Sequence, residues 1–295
     1  QMISPTMLYS ATLRLLFRLA LGAPPPPESL DSVASHERGL VLVADGVGGL
    51  NLCGEGLRHV VPKAGLPHEV RVVPWGHGLF RWHADLTSVP NQVTHARWIR
   101  QTVLEHREQF PAAPVFLVGK SGGSGVVARA LELLADPEVD ADSPNGGGIS
   151  TRPITACVLL APALSPSYDL TRALSAVERE LVVFWSPLDV IVLGLGTWLF
   201  GTIDRKHSVA AGLVGFQPPT VDPSLASPDR ALAYARLRQI PWRLSMGTTG
   251  YLGGHVGPDS PAFLKKYVVP ILTPSRPTEV LGGQGSSSRP FAPIT

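Results

Sequence analysis

From residue 39 onward, short apolar runs alternate with longer stretches in which apolar positions recur at helical spacing. GLVLVAD (39–45), EVRVVPW (69–75), PVFLVG (114–119), ITACVLLAP (154–162), ELVVFWS (180–186) and PWRLSMG (241–247) are short, apolar and mostly rich in Val, Leu and Ile, and they predict six buried strands. Between them, CGEGLRHVVPKAG (53–65), NQVTHARWIRQTVLEHREQF (91–110) and GVVARALELL (125–134) predict helices. In the last of these, Val127, Ala130, Leu131 and Leu134 follow the i, i+3, i+4, i+7 spacing of one helical face. The alternation predicts an α/β fold, a mostly parallel sheet of about six strands with helices on both faces.

The flanks read differently. MLYSATLRLLFRLALGA (7–23) is apolar, but Arg14 and Arg18 lie inside it, and it is short of the roughly 20 uninterrupted apolar residues a membrane span needs. It fits an amphipathic helix that packs on the domain or lies on a membrane surface, so peripheral membrane contact through 7–23 is one expectation. PPPP (24–27) makes a stiff connector. The expected division is therefore 1–38 for helix and connector, 39–272 for the folded domain, and 273–295 for a disordered tail rich in Gly, Ser and Pro. DPEVDADSPNGGGIST (136–151) reads as a surface loop.

Composition narrows the classes. A chain of 295 residues accommodates one domain of about 200–250 residues with trimmings. Its 44% hydrophobic and 16% charged residues suit a largely buried sheet. A net charge of +2 without a dense basic stripe gives no reason to expect a nucleic-acid partner. Cys53 and Cys157 are too few for a disulfide framework and lack metal-ligand spacing, so they read as two free core thiols. A cytoplasmic protein is the first expectation for location, with export or membrane association as alternatives.

The candidate chemistry sits at the corner VGKSGGSG, between a predicted strand and a predicted helix. Gly119, Lys120 and Ser121 could end a phosphate loop, but that loop needs a glycine where Pro114 stands. G-x-S-x-G is complete in Gly119, Ser121 and Gly123. A serine on a sharp strand-to-helix turn needs small neighbours, and the helix behind it directs N–H groups at developing negative charge. A nucleophilic Ser121 requires a base and an orienting carboxylate. Asp189 follows a late strand in ELVVFWSPLDVIV, with Asp169 and the more distant Asp204 as rivals, and His255 falls in a late loop within GYLGGHVG. The oxyanion donors would be the N–H groups of Gly122 and, from the turn ADGVGGLN, Val47; Gly46 and Gly48 on either side of it would contact substrate, and Asp45 would order the loop. Trp75, His77, Phe80, Trp82 and His83 follow a strand end, where Trp75 and His77 could face substrate or simply pack the next helix. No Cys, Asp or Glu at ligand spacing joins His77 and His83, so no metal and no cofactor is expected.

GKSGG, SPLD, GGHVG and DGVGG together resemble the α/β-hydrolase superfamily over residues 39–272. The DG-x-GG-x-N and VGKSGG segments are also similar to hydrolase-like proteins of planctomycete-type bacteria. The resemblance implies a Ser–His–Asp triad of Ser121, His255 and Asp189 working through an acyl-enzyme. It departs from the family in carrying Asp45-Gly46 where His-Gly is familiar, and in lacking the family's first hairpin. The 190–240 segment would be a lid, with Leu195, Trp198, Leu199 and Phe200 at an apolar mouth and Trp198 touching substrate. The expectation is a serine hydrolase of carboxylic esters, with a small, lipophilic substrate. A non-catalytic binding protein on the same fold, or peptidase, thioesterase or acyltransferase chemistry on the same triad, are the alternatives.

Overall fold

A computed structural model describes residues 12, 15–17, 19–20, 39–135, 152–217 and 228–273. The expected connector, the 136–151 loop and most of both flanks lie outside the described residues, as does part of the 190–240 segment.

Six strands form one parallel sheet: β1 (Leu40–Ala44), β2 (Glu69–Val72), β3 (Val115–Lys120), β4 (Ile154–Leu160), β5 (Val177–Trp185) and β6 (Leu237–Pro241), in the order β2-β1-β3-β4-β5-β6. The central strands β1, β3 and β4 are buried at every position, as continuous apolar runs in a parallel sheet require. Three long helices connect the first four strands: α1 (Leu52–Lys63), α2 (Val89–Gln109) and α3 (Gly123–Leu134).

The helices segregate by face. Cys53, Leu57, Val60 and Val61 of α1 pack with Phe116, Phe184 and the C-terminal residues Phe263, Leu264 and Val268 on one side. Ile99 and Val103 of α2 and Val127 and Leu131 of α3 pack with Leu42, Leu117 and Leu159 on the other. This division places Cys53 and Cys157 in different cores, both buried and both unpaired. The chain leaves β1 toward β2 and then returns across it to β3, so the helices that follow β1 and β3 lie on opposite faces of the sheet. A crevice opens at such a reversal, and ligands of open parallel sheets bind there.

The last strand is four residues earlier than the sequence pattern predicts. PWRLSMG (241–247) is not a strand; Leu237–Pro241 takes the edge position, and Leu244–Thr249 winds into a 3-10 turn. β6 hides from a hydrophobicity reading because its polar residues are used at the edge: Arg238 pairs with Glu180 at 2.7 Å, and Gln239 bonds the Phe216 backbone. β2 likewise stops at Val72, although Val73 N–H still donates to Val43 O at 2.8 Å.

Candidate active site

β3 ends at Lys120 and α3 begins at Gly123, so the chain reverses within two residues. Ser121 absorbs the reversal with φ +51°, a left-handed conformation costing a residue with a Cβ on the order of 1–3 kcal/mol. Its own backbone holds it there: Ser121 N–H donates to Leu160 O at 2.9 Å, and Ser121 O accepts from the N–H groups of Ser124 and Ala163 at 3.1 Å each and from the Ser124 hydroxyl. The flanking glycines are steric requirements. A Cβ on Gly123 would lie 2.0 Å from Ala44 O, and one on Gly119 would lie 2.8 Å from Ser124 Cα. The first turn of α3 thus presses against the end of β1, which is closer than any side chain allows.

The structure brings the three expected side chains together. His255 Nε2 is 2.9 Å from Ser121 Oγ, and His255 Nδ1 is 2.6 Å from Asp189 Oδ2. Asp189 sits in the tight turn after β5, where its N–H donates to Ser186 O at 3.2 Å and its side chain is buried. Burial first, then the positive charge of Lys120, lowers the His255 pKa, with Asp189 opposing. The imidazole is therefore neutral near pH 7 and able to accept a proton. Neither rival carboxylate reaches it: Asp169 bonds Thr171, Tyr234 and Arg230, and Asp204 bonds the N–H and hydroxyl of Ser165.

The turn after β1 faces the elbow. A Cβ on Gly46 would lie 3.6 Å from Ser121 Cβ, and one on Gly122 would lie 2.7 Å from Val47 Cγ1. Neither the Val47 nor the Gly122 N–H donates to a protein acceptor among the described residues. Gly48 N–H is already taken, at 2.7 Å, by Asp85 Oδ2. Asp45 orders the turn as expected, accepting from Gly46 and Gly54 N–H at 2.8 Å each.

Of the two readings of the aromatic segment, packing holds for Trp75, while His77 gains a polar tether. Trp75 is not a substrate-facing wall: it is 2% exposed, its Nε1–H donates to Asp45 O at 2.8 Å, and its ring edge backs Gly122. It props the turn after β1 from behind. His77 is held by Asp85, a fully buried carboxylate that accepts from the His77 N–H at 2.8 Å and meets His77 Nδ1 at 2.6 Å. Asp85 thereby ties His77 and Gly48 to one point, a role no local pattern in WHADL announces.

Lys120 and Asp259 are the residues sequence reasoning missed. Lys120 is 2% exposed; its Nζ donates to the His255 carbonyl at 2.9 Å and lies 3.5 Å from Asp259 Oδ2. It clamps the histidine loop onto the end of β3. Burial pushes the Asp259 carboxyl up to about 7 and also raises Asp45, while Lys120 draws both down. A lysine ending the apolar run VFLVGK was the available signal, since a buried ammonium needs partners.

Outside this polar floor the rim is apolar. Leu188 flanks Asp189 and is 52% exposed, Val256 flanks His255 and is 66% exposed, and Trp198 is 58% exposed. Leu195, Leu199 and Phe200 are also exposed, and Phe200 meets Trp82 edge-on at 5.1 Å between ring centres. The chain matches no family model, no curated protein and no solved structure.

Proposed function

We propose that this protein is a serine hydrolase of the α/β-hydrolase type, acting on carboxylic esters. The observation that carries the reading is the continuous contact Ser121 Oγ–His255 Nε2–His255 Nδ1–Asp189 Oδ2, with Ser121 in a strained corner at a sheet's switch point. His255 takes the Ser121 proton as Oγ attacks the ester carbonyl carbon. The carbonyl oxygen, now negative, is received by the N–H groups of Gly122 and Val47. The protonated imidazole, steadied by Asp189, gives its proton to the departing alcohol. The resulting acyl-enzyme is hydrolysed by a water that His255 deprotonates in turn.

The apolar rim supports an uncharged, lipophilic substrate. A cover over the mouth is confined in this reading to residues 188–200. The segment beyond it is pinned to the β4 loop by Ile203 N–H to Ala163 O, Ala211 N–H to Leu164 O and Gly212 N–H to Pro162 O. The test is labelling by a fluorophosphonate, which traps an activated serine. Native protein labels, while Ser121→Ala and His255→Ala do not. A folded native chain that resists labelling, or a Ser121→Ala chain that still labels, refutes the assignment.

A further inference from the structure

The apolar rim and the charges around it point to a partner. Three loops surround Ser121, each following the C-terminal end of a strand: 76–88 after β2, 186–209 after β5 and 242–257 after β6. They carry large side chains that a folded monomer ordinarily covers: Ile191 is 80% exposed, Leu252 76%, Val256 66%, Phe80 64% and Trp198 58%. The loops are joined by contact. Trp82 of the first meets Phe200 of the second, and Leu188 of the second packs so closely on the third that a Cβ on Gly253 would lie 2.6 Å from it. Leu252 and Val256 also line a pocket of about 340 Å³ with Phe17, from a helical stretch that exposes Leu15, Leu16 and Leu19.

The charges on these same loops have one sign. Arg81, Arg205, Lys206 and Arg243 are exposed, Lys206 with its Nζ 4.0 Å from Asp204 Oδ2 and donating to Ser167 Oγ at 3.1 Å. The loops' carboxylates are withdrawn: Asp85 and Asp189 are buried, and Asp204 is turned onto Ser165. A second protein would have to match this relief residue by residue. A fluid surface of anionic headgroups over acyl chains matches it by composition alone, since apolar side chains enter the acyl boundary while arginine and lysine stay at headgroup level.

We infer that this face docks on an anionic lipid surface, with the mouth of the Ser121 site opening onto it. The inference rests on the hydrolase reading only in calling that opening a substrate mouth; the docking itself needs no reaction. Among the described residues no helix is long and apolar enough to cross a membrane.

The experiment is sedimentation of the full chain with vesicles of phosphatidylcholine alone and of phosphatidylcholine mixed with phosphatidylglycerol. Binding is expected with the anionic vesicles and weakens as salt is raised. Ile191→Ser with Trp198→Ser weakens it by about tenfold or more, because two apolar anchors are lost. Removing one cation from the surface costs about fivefold, so Arg205→Gln with Lys206→Gln costs about 25-fold and flattens the salt dependence. Trp98→Ser, on α2, leaves binding unchanged. Absence of vesicle binding overturns the inference, as does binding indifferent to both double variants. So does self-association of the native chain that those variants abolish while vesicles stay unbound, which would make the face a contact between copies. Fluorophosphonate labelling without vesicle binding would refute docking alone, and vesicle binding without labelling would refute the hydrolase alone.

Discussion

Asp259 should make the fold less stable as pH rises through neutrality. Its carboxyl is buried with Oδ1 unbonded; Lys120 faces it at 3.5 Å and Asp45 adds a second negative charge nearby. Its pKa is pushed from 3.8 to about 7, so the folded chain keeps a proton that the unfolded chain gives up. Between those values the native state binds more protons than the unfolded state, and stability falls with rising pH. At 1.36 kcal/mol per pKa unit, the full effect above pH 7 is about 4 kcal/mol, of which about 2–3 kcal/mol accrues between about pH 5 and about pH 8. Asp259→Asn has nearly the same shape and cannot titrate. Urea unfolding of both chains at several pH values should show native stability falling relative to the variant by that amount as pH climbs. A constant offset between the two chains, with no pH trend, would refute the reasoning.

Three further outcomes follow from the site. Asp189→Asn should fold normally and lower the rate of fluorophosphonate labelling by about 10⁴-fold, because the amide no longer holds the imidazole in its accepting tautomer; a loss under tenfold would argue against an orienting role. Labelling plotted against pH should fail only as pH falls below the usual histidine range, since His255 is lowered by burial and by Lys120. Lys120→Met should raise that acid limb, and an unmoved limb would mean the lysine charge does not reach the imidazole. Gly123→Ala requires α3 to retreat by about 1.4 Å to clear Ala44 O, a displacement expected to cost about 3 kcal/mol or more in thermal or urea unfolding. Gly254→Ala, whose Cβ would meet nothing within 4 Å, should cost little, and equal losses in the two chains would discount the steric account.

The parts of this architecture that were legible in the sequence are those written in local patterns. The buried central strands are unbroken Val and Leu runs, and the corner at Ser121 is marked by glycines whose need is steric. Asp189 and His255 were found because each follows a strand or occupies a late loop, and their distances to one another then emerged from the fold. β6 was misplaced because an edge strand spends Arg238 and Gln239 on partners beside it, so its composition resembles a loop. Trp75 stays open between two readings in the sequence because a tryptophan at a strand end serves equally as a pocket wall or as a prop, and only its bond to Asp45 O distinguishes them. Asp85, Lys120 and Asp259 act across 37, 135 and 139 positions of the chain respectively, counted to Gly48, His255 and Lys120. No periodicity records a contact of that range.

The Lys120 clamp also bears on the order in which the candidate site is assembled. During synthesis the corner bearing Ser121 and the strands around it emerge well before His255. The face of α1, Phe116 and Phe184 waits for Phe263, Leu264 and Val268 to cover it, and His68 waits for the Leu272 carbonyl 2.9 Å away. Until that last segment docks, Lys120 has no His255 carbonyl to hold and Ser121 has no imidazole beside it. On the proposed hydrolase reading, an unfinished or clipped chain would carry the serine without its base, and reactivity would arrive with the final closure of the core.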